Sequence, residues 1–200
     1  VLAKKFGAFL TFASLETGGG TAPGQISIAD MKKLYRWDAI NANTRLFGVV
    51  ASPVKHSMSP AIHNASFDEI GYDGIYLPML VEPGYESFKA FMETFLAFQP
   101  LHLSGLSVTL PHKENALRYL KEKGAEIEPL AERIGAVNKI WIASRKSKIA
   151  NLIGINTDYA AILDSITAKL NCSREALANY RIAVIGAAGT GRTAVAALAH

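Results

Sequence analysis

The sequence predicts an α/β fold in which a mostly parallel sheet is covered by helices. Three observations point to it. From residue 46 onward, short apolar runs rich in β-formers alternate with helical stretches, and strands joined through helices pair in parallel. Helix starts carry Pro at or near the first position, as after Ser59-Pro60 and near Pro111, where its missing N–H is harmless. The run Ile182 to Ile185 is wholly apolar and leads into a Gly-rich turn and an Ala-rich helix, and such a strand needs neighbours and a helix on each face. Half of the 200 residues are hydrophobic and 19% charged, a balance that excludes disorder and supports a sizeable core.

In chain order, Phe6 to Ala13 has the pattern of a buried strand, followed by a Gly18-Gly19-Gly20 loop. Ser27 is placed to cap a helix running to Tyr35. Residues 38–45 are polar and turn-rich and read as a linker. Strands are then expected at Leu46–Val50, Ile75–Leu80, Leu103–Thr109, Val137–Ala143 and Ile149–Ile155. Helices are expected after Ser59-Pro60, from Gly84 to Leu96, from near Pro111, at Pro129–Ile134 and after Asp158. One strand and one helix cannot bury their own apolar faces, so residues 1–37 are expected to be the end of something larger or to pack on the next domain. The last βα unit stops at His200 before a second strand arrives, and the chain is expected to be cut at both ends.

The net charge is +4, but the cations are scattered. The densest run, Arg145-Lys146-Ser147-Lys148, has no interleaved aromatics and reads as a solvated turn, not a nucleic-acid surface. Mild positive charge suits anionic small molecules. Cys172 is the single cysteine, so no internal disulfide forms and a reducing cytoplasm is the expected compartment. No stretch approaches the roughly 20 apolar residues that span a bilayer, and no signal peptide is expected. His56 and His63 fit no clear ligand set, so no metal is expected.

Polar cassettes interrupt the apolar sequence where strands end and helices begin, the place where open α/β sheets meet ligands. Ser57 and Ser59 bracket one helix entry, whose free N–H groups and dipole favour an anion; an ordinary N-cap is the plainer reading. Lys113 follows Ser107-Val108-Thr109-Leu110-Pro111-His112, and Asp158 follows Asn156-Thr157. Brought together, this Lys and Asp are able to pass a proton to and from a substrate oxygen; singly they read as a surface cation and a helix cap. Asn138, where a helix hands over to a strand, is a turn residue or an amide for a substrate hydroxyl. Gly186-Ala187-Ala188-Gly189-Thr190-Gly191 follows a strand and opens a helix, the context of dinucleotide binding, although Ala188 takes the place of the second glycine. This last unit reads as the truncated start of a Rossmann domain.

Taken together and in order, His56-Ser57-Met58-Ser59-Pro60 with His63-Asn64, Ser107-Val108-Thr109 with Pro111-His112-Lys113, Gly135-Ala136-Val137-Asn138, and Asn156-Thr157-Asp158 resemble shikimate dehydrogenases over residues 46–200. The resemblance implies a substrate domain over 46–158 and a connecting helix with the start of an NADP domain over 159–200. It implies NADPH-dependent reduction of 3-dehydroshikimate to shikimate, with Lys113 and Asp158 catalytic. Ser57 and Ser59 would hold the substrate carboxylate, and Thr109 and Asn138 ring oxygens. Gly186, Ala187, Gly189, Thr190 and Gly191 would bind the cofactor. Ser107 stands where some relatives carry Asn, and Tyr159 where Gly is frequent.

The front segment, Thr11-Phe12-Ala13 and Thr21-Ala22-Pro23-Gly24-Gln25, resembles the last βα unit of the TIM barrel of type I 3-dehydroquinate dehydratases. There Thr21 and Gln25 would be substrate contacts, with Thr21 replacing a common Ser. The order matches the bifunctional dehydratase–dehydrogenases best known from plants, which would place the protein in a plastid if its source is a plant. The Schiff-base lysine would lie before Val1, so this chain is not expected to dehydrate. A monomer or homodimer is expected, and neither membrane nor nucleic acid as a partner. A quinate-preferring dehydrogenase and a non-catalytic substrate-binding fragment are the alternatives.

Overall fold

Ser27 opens the first helix, α1 (Ile28–Lys33), by accepting a hydrogen bond from the Asp30 amide at 3.0 Å. Its hydroxyl satisfies one of the free amides of the first turn. The computed structural model describes residues 1–15, 20, 22, 24–144, 151–186 and 188–199. It divides into two units, Val1–Glu82 with Ala90–Leu106, and Pro83–Lys89 with Ser107–His200.

In the first unit, β1 (Arg45–Ala51) pairs in parallel with β2 (Gly74–Leu80) across the helix α2 (Ser59–Glu69). Residues of α3 (Tyr85–Ala97) and β3 (Leu103–Val108) are shared between the units, and β3 lies beside β1. Asn64, 1% exposed, holds α2 to β2 by exchanging two 2.8 Å bonds with the backbone of Tyr76. A core of Val49, Ala51, Val54 and Tyr76 packs with Phe47 and Phe67.

The strand expected at Phe6–Ala13 is not formed. Leu2–Phe6 is a 3-10 turn, and Phe9, Leu10 and Phe12 are exposed. A parallel strand takes its hydrogen bonds from neighbours along its edges, and the described residues give this segment one bridge, Ser14 to Ser27. Lys5 is buried nonetheless: its ammonium donates to the carbonyls of Ala42 (2.6 Å) and Thr44 (2.8 Å), and desolvation lowers its pKa. Arg36 likewise donates to Asp68 and to the carbonyls of Tyr72 and Gly74.

The second unit runs through α4 (Lys113–Glu122), β4 (Glu126–Ile127), α5 (Pro129–Ile134), β5 (Lys139–Ser144), β6 (Asn151–Ile155), α6 (Asp158–Leu170) and α7 (Gly189–Leu198). Its strands order as β5-β6-β4. The two-residue β4 pairs in parallel with β6, but β5 and β6 are antiparallel, a departure from helix-covered parallel pairing. Only six residues lie between β5 and β6 in the sequence, and short connections favour antiparallel neighbours. The Arg145–Lys148 run lies outside the described residues. Gly154 faces Leu120 and Val137 so closely that a Cβ there would overlap the Leu120 side chain, which would have to shift.

The strand expected at Ile182–Ile185 is also absent. The segment makes no ladder and Ile185 is 99% exposed, because no described strand lies alongside it. The helix behind it does form: α7 packs with α6 around Leu163, Leu177 and Ala197, with Cys172 at the margin. Among the described residues no helix is long and apolar enough to cross a membrane.

Candidate active site

The antiparallel register of β5 and β6 sets the site. Lys139 is opposite Ile155, so Asn138, just before β5, stands beside Asn156-Thr157-Asp158, just after β6. The Asn138 amide donates to the Ile155 carbonyl at 3.1 Å, and the Val137 amide to the carbonyl of Lys113 at 3.0 Å. That second bond brings the first residue of α4 to the same place. Three chain segments far apart in sequence thus converge through backbone bonds before any side chain acts.

The side chains complete the convergence. Lys113 Nζ donates to Asp158 Oδ2 at 2.5 Å and to Thr190 Oγ1 at 3.1 Å. Lys113 is 8% exposed, and its charge, so far from water, is balanced by the Asp158 carboxylate. Asn138 Nδ2 donates to Asp158 Oδ1 at 2.7 Å and to Thr157 Oγ1 at 3.0 Å, while its Oδ1 accepts from the Thr157 amide at 3.0 Å. Both carboxylate oxygens of Asp158 are therefore fixed, one by a cation and one by an amide. Asp158 is the first residue of α6, not its cap, and Lys113 is the first residue of α4.

A pocket of about 440 Å³ opens at this pair, lined by Lys113, Asp158, Ala161, Ile162, Ser165, Ile166 and Thr190. Its charged end and apolar helical wall match the common make-up of small-molecule sites. Among the described residues no group of three or more His, Cys, Asp or Glu side chains is placed to hold a metal; His63 instead stacks on Tyr76 at 4.3 Å.

The remaining expected residues fall as follows. Thr109 lies just past β3, half-buried, its carbonyl accepting from the His112 amide. Ser57 and Ser59 are in the first unit; α2 begins at Ser59, and the Ser57 hydroxyl accepts from the Ser59 amide at 3.3 Å. In the Gly-rich turn, Gly186 has φ of +107°, a conformation that strains any residue with a Cβ. A Cβ on Gly191 would run into the Gly186 carbonyl, and one on Gly189 would press on the Lys113 stem at 3.4 Å. The turn therefore depends on glycine at Gly186 and Gly191, and Thr190 joins it to Lys113. Ala187 and Thr21 lie outside the described residues. Gln25 precedes α1 and its amide donates to the Ala22 carbonyl at 3.2 Å.

Sequence reasoning gave no role to Asn156. It is 4% exposed and fully used: Oδ1 accepts from the Asp158 amide (3.0 Å), and Nδ2 donates to the Ala136 carbonyl (2.9 Å) and to Thr193 Oγ1 (3.3 Å). Its place two residues before Asp158, where an Asx turn forms, was the available signal. Arg192 forms an ion pair with Glu114.

Residues 49–140 match the shikimate dehydrogenase substrate binding domain, and residues 1–42 match type I 3-dehydroquinase. The bifunctional 3-dehydroquinate dehydratase/shikimate dehydrogenase, chloroplastic, of Arabidopsis thaliana is 35% identical over 96% of this chain and 31% of its own length. A shikimate dehydrogenase (NADP(+)) of Methanobrevibacter smithii is 35% identical over 76% of this chain and 47% of its own. The crystal structure of a Thermus thermophilus shikimate 5-dehydrogenase in complex with NADP(H) and shikimate aligns with a TM-score of 0.56 and 28% identity, over 78% of this chain and 52% of that one. The chain spans half or less of the length of the curated relatives quoted. Both matched segments lie, in this order, within the alignment to the bifunctional relative, which runs over 96% of this chain.

Proposed function

We propose that this chain is part of an NADP-dependent shikimate dehydrogenase, which reduces the 3-keto group of 3-dehydroshikimate to shikimate, and that it was joined to a dehydratase at its front. The observation that carries the reading is the Lys113–Asp158 contact at 2.5 Å beside a pocket. A carbonyl becoming an alkoxide needs positive charge and a proton source at its oxygen. Two of the three Lys113 N–H donors go to Asp158 and Thr190, which leaves one for a substrate oxygen. Asp158 keeps the ammonium aimed, and Asn138, with both amide hydrogens on Thr157 and Asp158, orients the carboxylate. Ser57 and Ser59 offer hydroxyls to a substrate carboxylate, and Thr109 one to a ring oxygen.

The residues of the Gly-rich turn fit a dinucleotide: Gly186 and Gly191 keep the backbone bare, and α7 starts directly behind them, where a helix terminus favours phosphate. Gly186, Ala187, Gly189, Thr190 and Gly191 would hold the pyrophosphate. When bound, the nicotinamide supplies the hydride. Residues 1–37 would be the dehydratase end, 38–45 the linker, 46–158 the substrate domain and 159–200 the opening of the cofactor domain. The single cysteine suits a reducing cytoplasm, or the plastid of a plant.

The test is an assay of the full-length protein with shikimate and quinate against NAD and NADP. Reduction of NADP with shikimate is the expected result. Preference for quinate would move the reading to a quinate dehydrogenase, and no turnover with any pair would end it.

A further inference from the structure

The helix behind the Gly-rich turn carries two threonines, and each reaches one half of the Lys113–Asp158 pair. Thr190 and Thr193 are three residues apart on α7, a spacing that puts both on one face. Thr190 Oγ1 accepts from Lys113 Nζ at 3.1 Å. Thr193, fully buried, donates its hydroxyl to the Gly189 carbonyl at 2.8 Å and accepts from Asn156 Nδ2 at 3.3 Å. Asn156 in turn receives the backbone amide of Asp158. The start of α7 lies against the Lys113 stem, a Cβ on Gly189 falling 3.4 Å from it.

We propose that Thr193, acting through Asn156, and Thr190, acting on the ammonium, form a two-point latch by which α7 sets the geometry of the proton-transfer pair. Both are positioning residues. The accounting at Asn156 gives the latch its force. Its Oδ1 and both amide hydrogens are spent on three partners. Without the Thr193 hydroxyl a buried amide hydrogen has no acceptor, and an unpaired buried donor is costly. The amide then gains by turning away, which releases the Asp158 amide. Anything that moves the Gly-rich turn moves this same helix, so the state of the turn and the aim of the pair change together.

The latch rests on the dehydrogenase reading, so the experiment separates the two. In the full-length protein, Thr193→Val keeps the shape and removes the hydroxyl, whereas Thr193→Ser keeps the hydroxyl and removes a methyl. The latch predicts that Thr193→Val lowers kcat for shikimate oxidation by about tenfold, with KM for shikimate changed less than about twofold, and that Thr193→Ser retains most of kcat. Thr190→Val should lower kcat by a smaller factor, again with rescue by Ser. Hydrogen exchange at the Asp158 amide should be faster in Thr193→Val than in Thr193→Ser. A fully active Val variant, or a Ser variant as damaged as the Val, would overturn the latch and leave Thr193 as packing. If the wild type turns over no shikimate, the dehydrogenase reading fails and the exchange comparison alone decides the latch.

Discussion

The serine cassette at the start of α2 and the lysine–aspartate cassette of the second unit contain equally short polar motifs, but they spend their hydrogen bonds differently. Ser57 and Ser59 share one weak bond, and neither hydroxyl hydrogen is given to a described residue. Lys113, Asn138 and Asp158 are bonded to one another and to Thr157, Thr190 and the Asx turn of Asn156. The difference teaches how to read polar motifs at helix entries. On the proposed dehydrogenase reading, the serines keep hydroxyl hydrogens open for a ligand, while the proton-transfer pair is fixed by the protein beforehand, since geometry carries much of its effect.

The largest effect that follows is on turnover. Lys113→Ala in the full-length protein should lower kcat by roughly a hundredfold or more while shikimate still binds. Steady-state kinetics beside a binding titration would check this, and unchanged turnover would erase the contrast between the cassettes. Ser57→Ala should act the other way, raising KM for shikimate about tenfold with kcat held within about twofold. A loss confined to kcat would mean that the serine is part of the chemistry.

The smallest effect sharpens the comparison with a charged cluster that lines no part of the pocket. Glu122 on α4 is held down to about 2 by the Tyr85 hydroxyl first, then by Lys89 and Arg118. The Arg118 guanidinium lies 3.7 Å from the centre of the Tyr85 ring. A carboxylate lowered on folding stabilises fully above its ordinary value of 4.5, and that contribution fades as pH falls toward 2. Glu122→Gln should therefore flatten the fall of Tm across that acid window and leave kcat at neutral pH unchanged. An equally steep acid limb in the variant would show that the cluster contributes nothing.

Local signals in the sequence carried most of this architecture. Ser27 as a cap, Pro60 in the first turn of α2, and Pro129–Ile134 as α5 are all where composition and capping chemistry put them. The segments that failed, Phe6–Ala13 and Ile182–Ile185, have strand composition without strand neighbours, and pairing is a property of the neighbour as much as of the strand. The two residues of β4 are too few to leave a periodic trace. Around the pocket, the lysine, asparagine and aspartate that the structure brings together were legible because each ends a cassette. The roles of Asn156, Thr190 and Thr193 were not, because they depend on α7 lying against residues that are 37 to 77 positions away in the chain. The antiparallel pairing of β5 with β6, which carries Asn138 to Asp158, left one sequence signal, the short connection between the two strands.

The central claim is that the ammonium and the carboxylate work as one unit, and a double-mutant cycle tests it most directly. Kinetics of Lys113→Ala, Asp158→Asn and the combined variant in the full-length protein should show each single change lowering kcat steeply, with the double variant no worse than about threefold below the poorer single, as for groups that act together. Losses that multiply in the double variant would show two independent contributions and contradict the account.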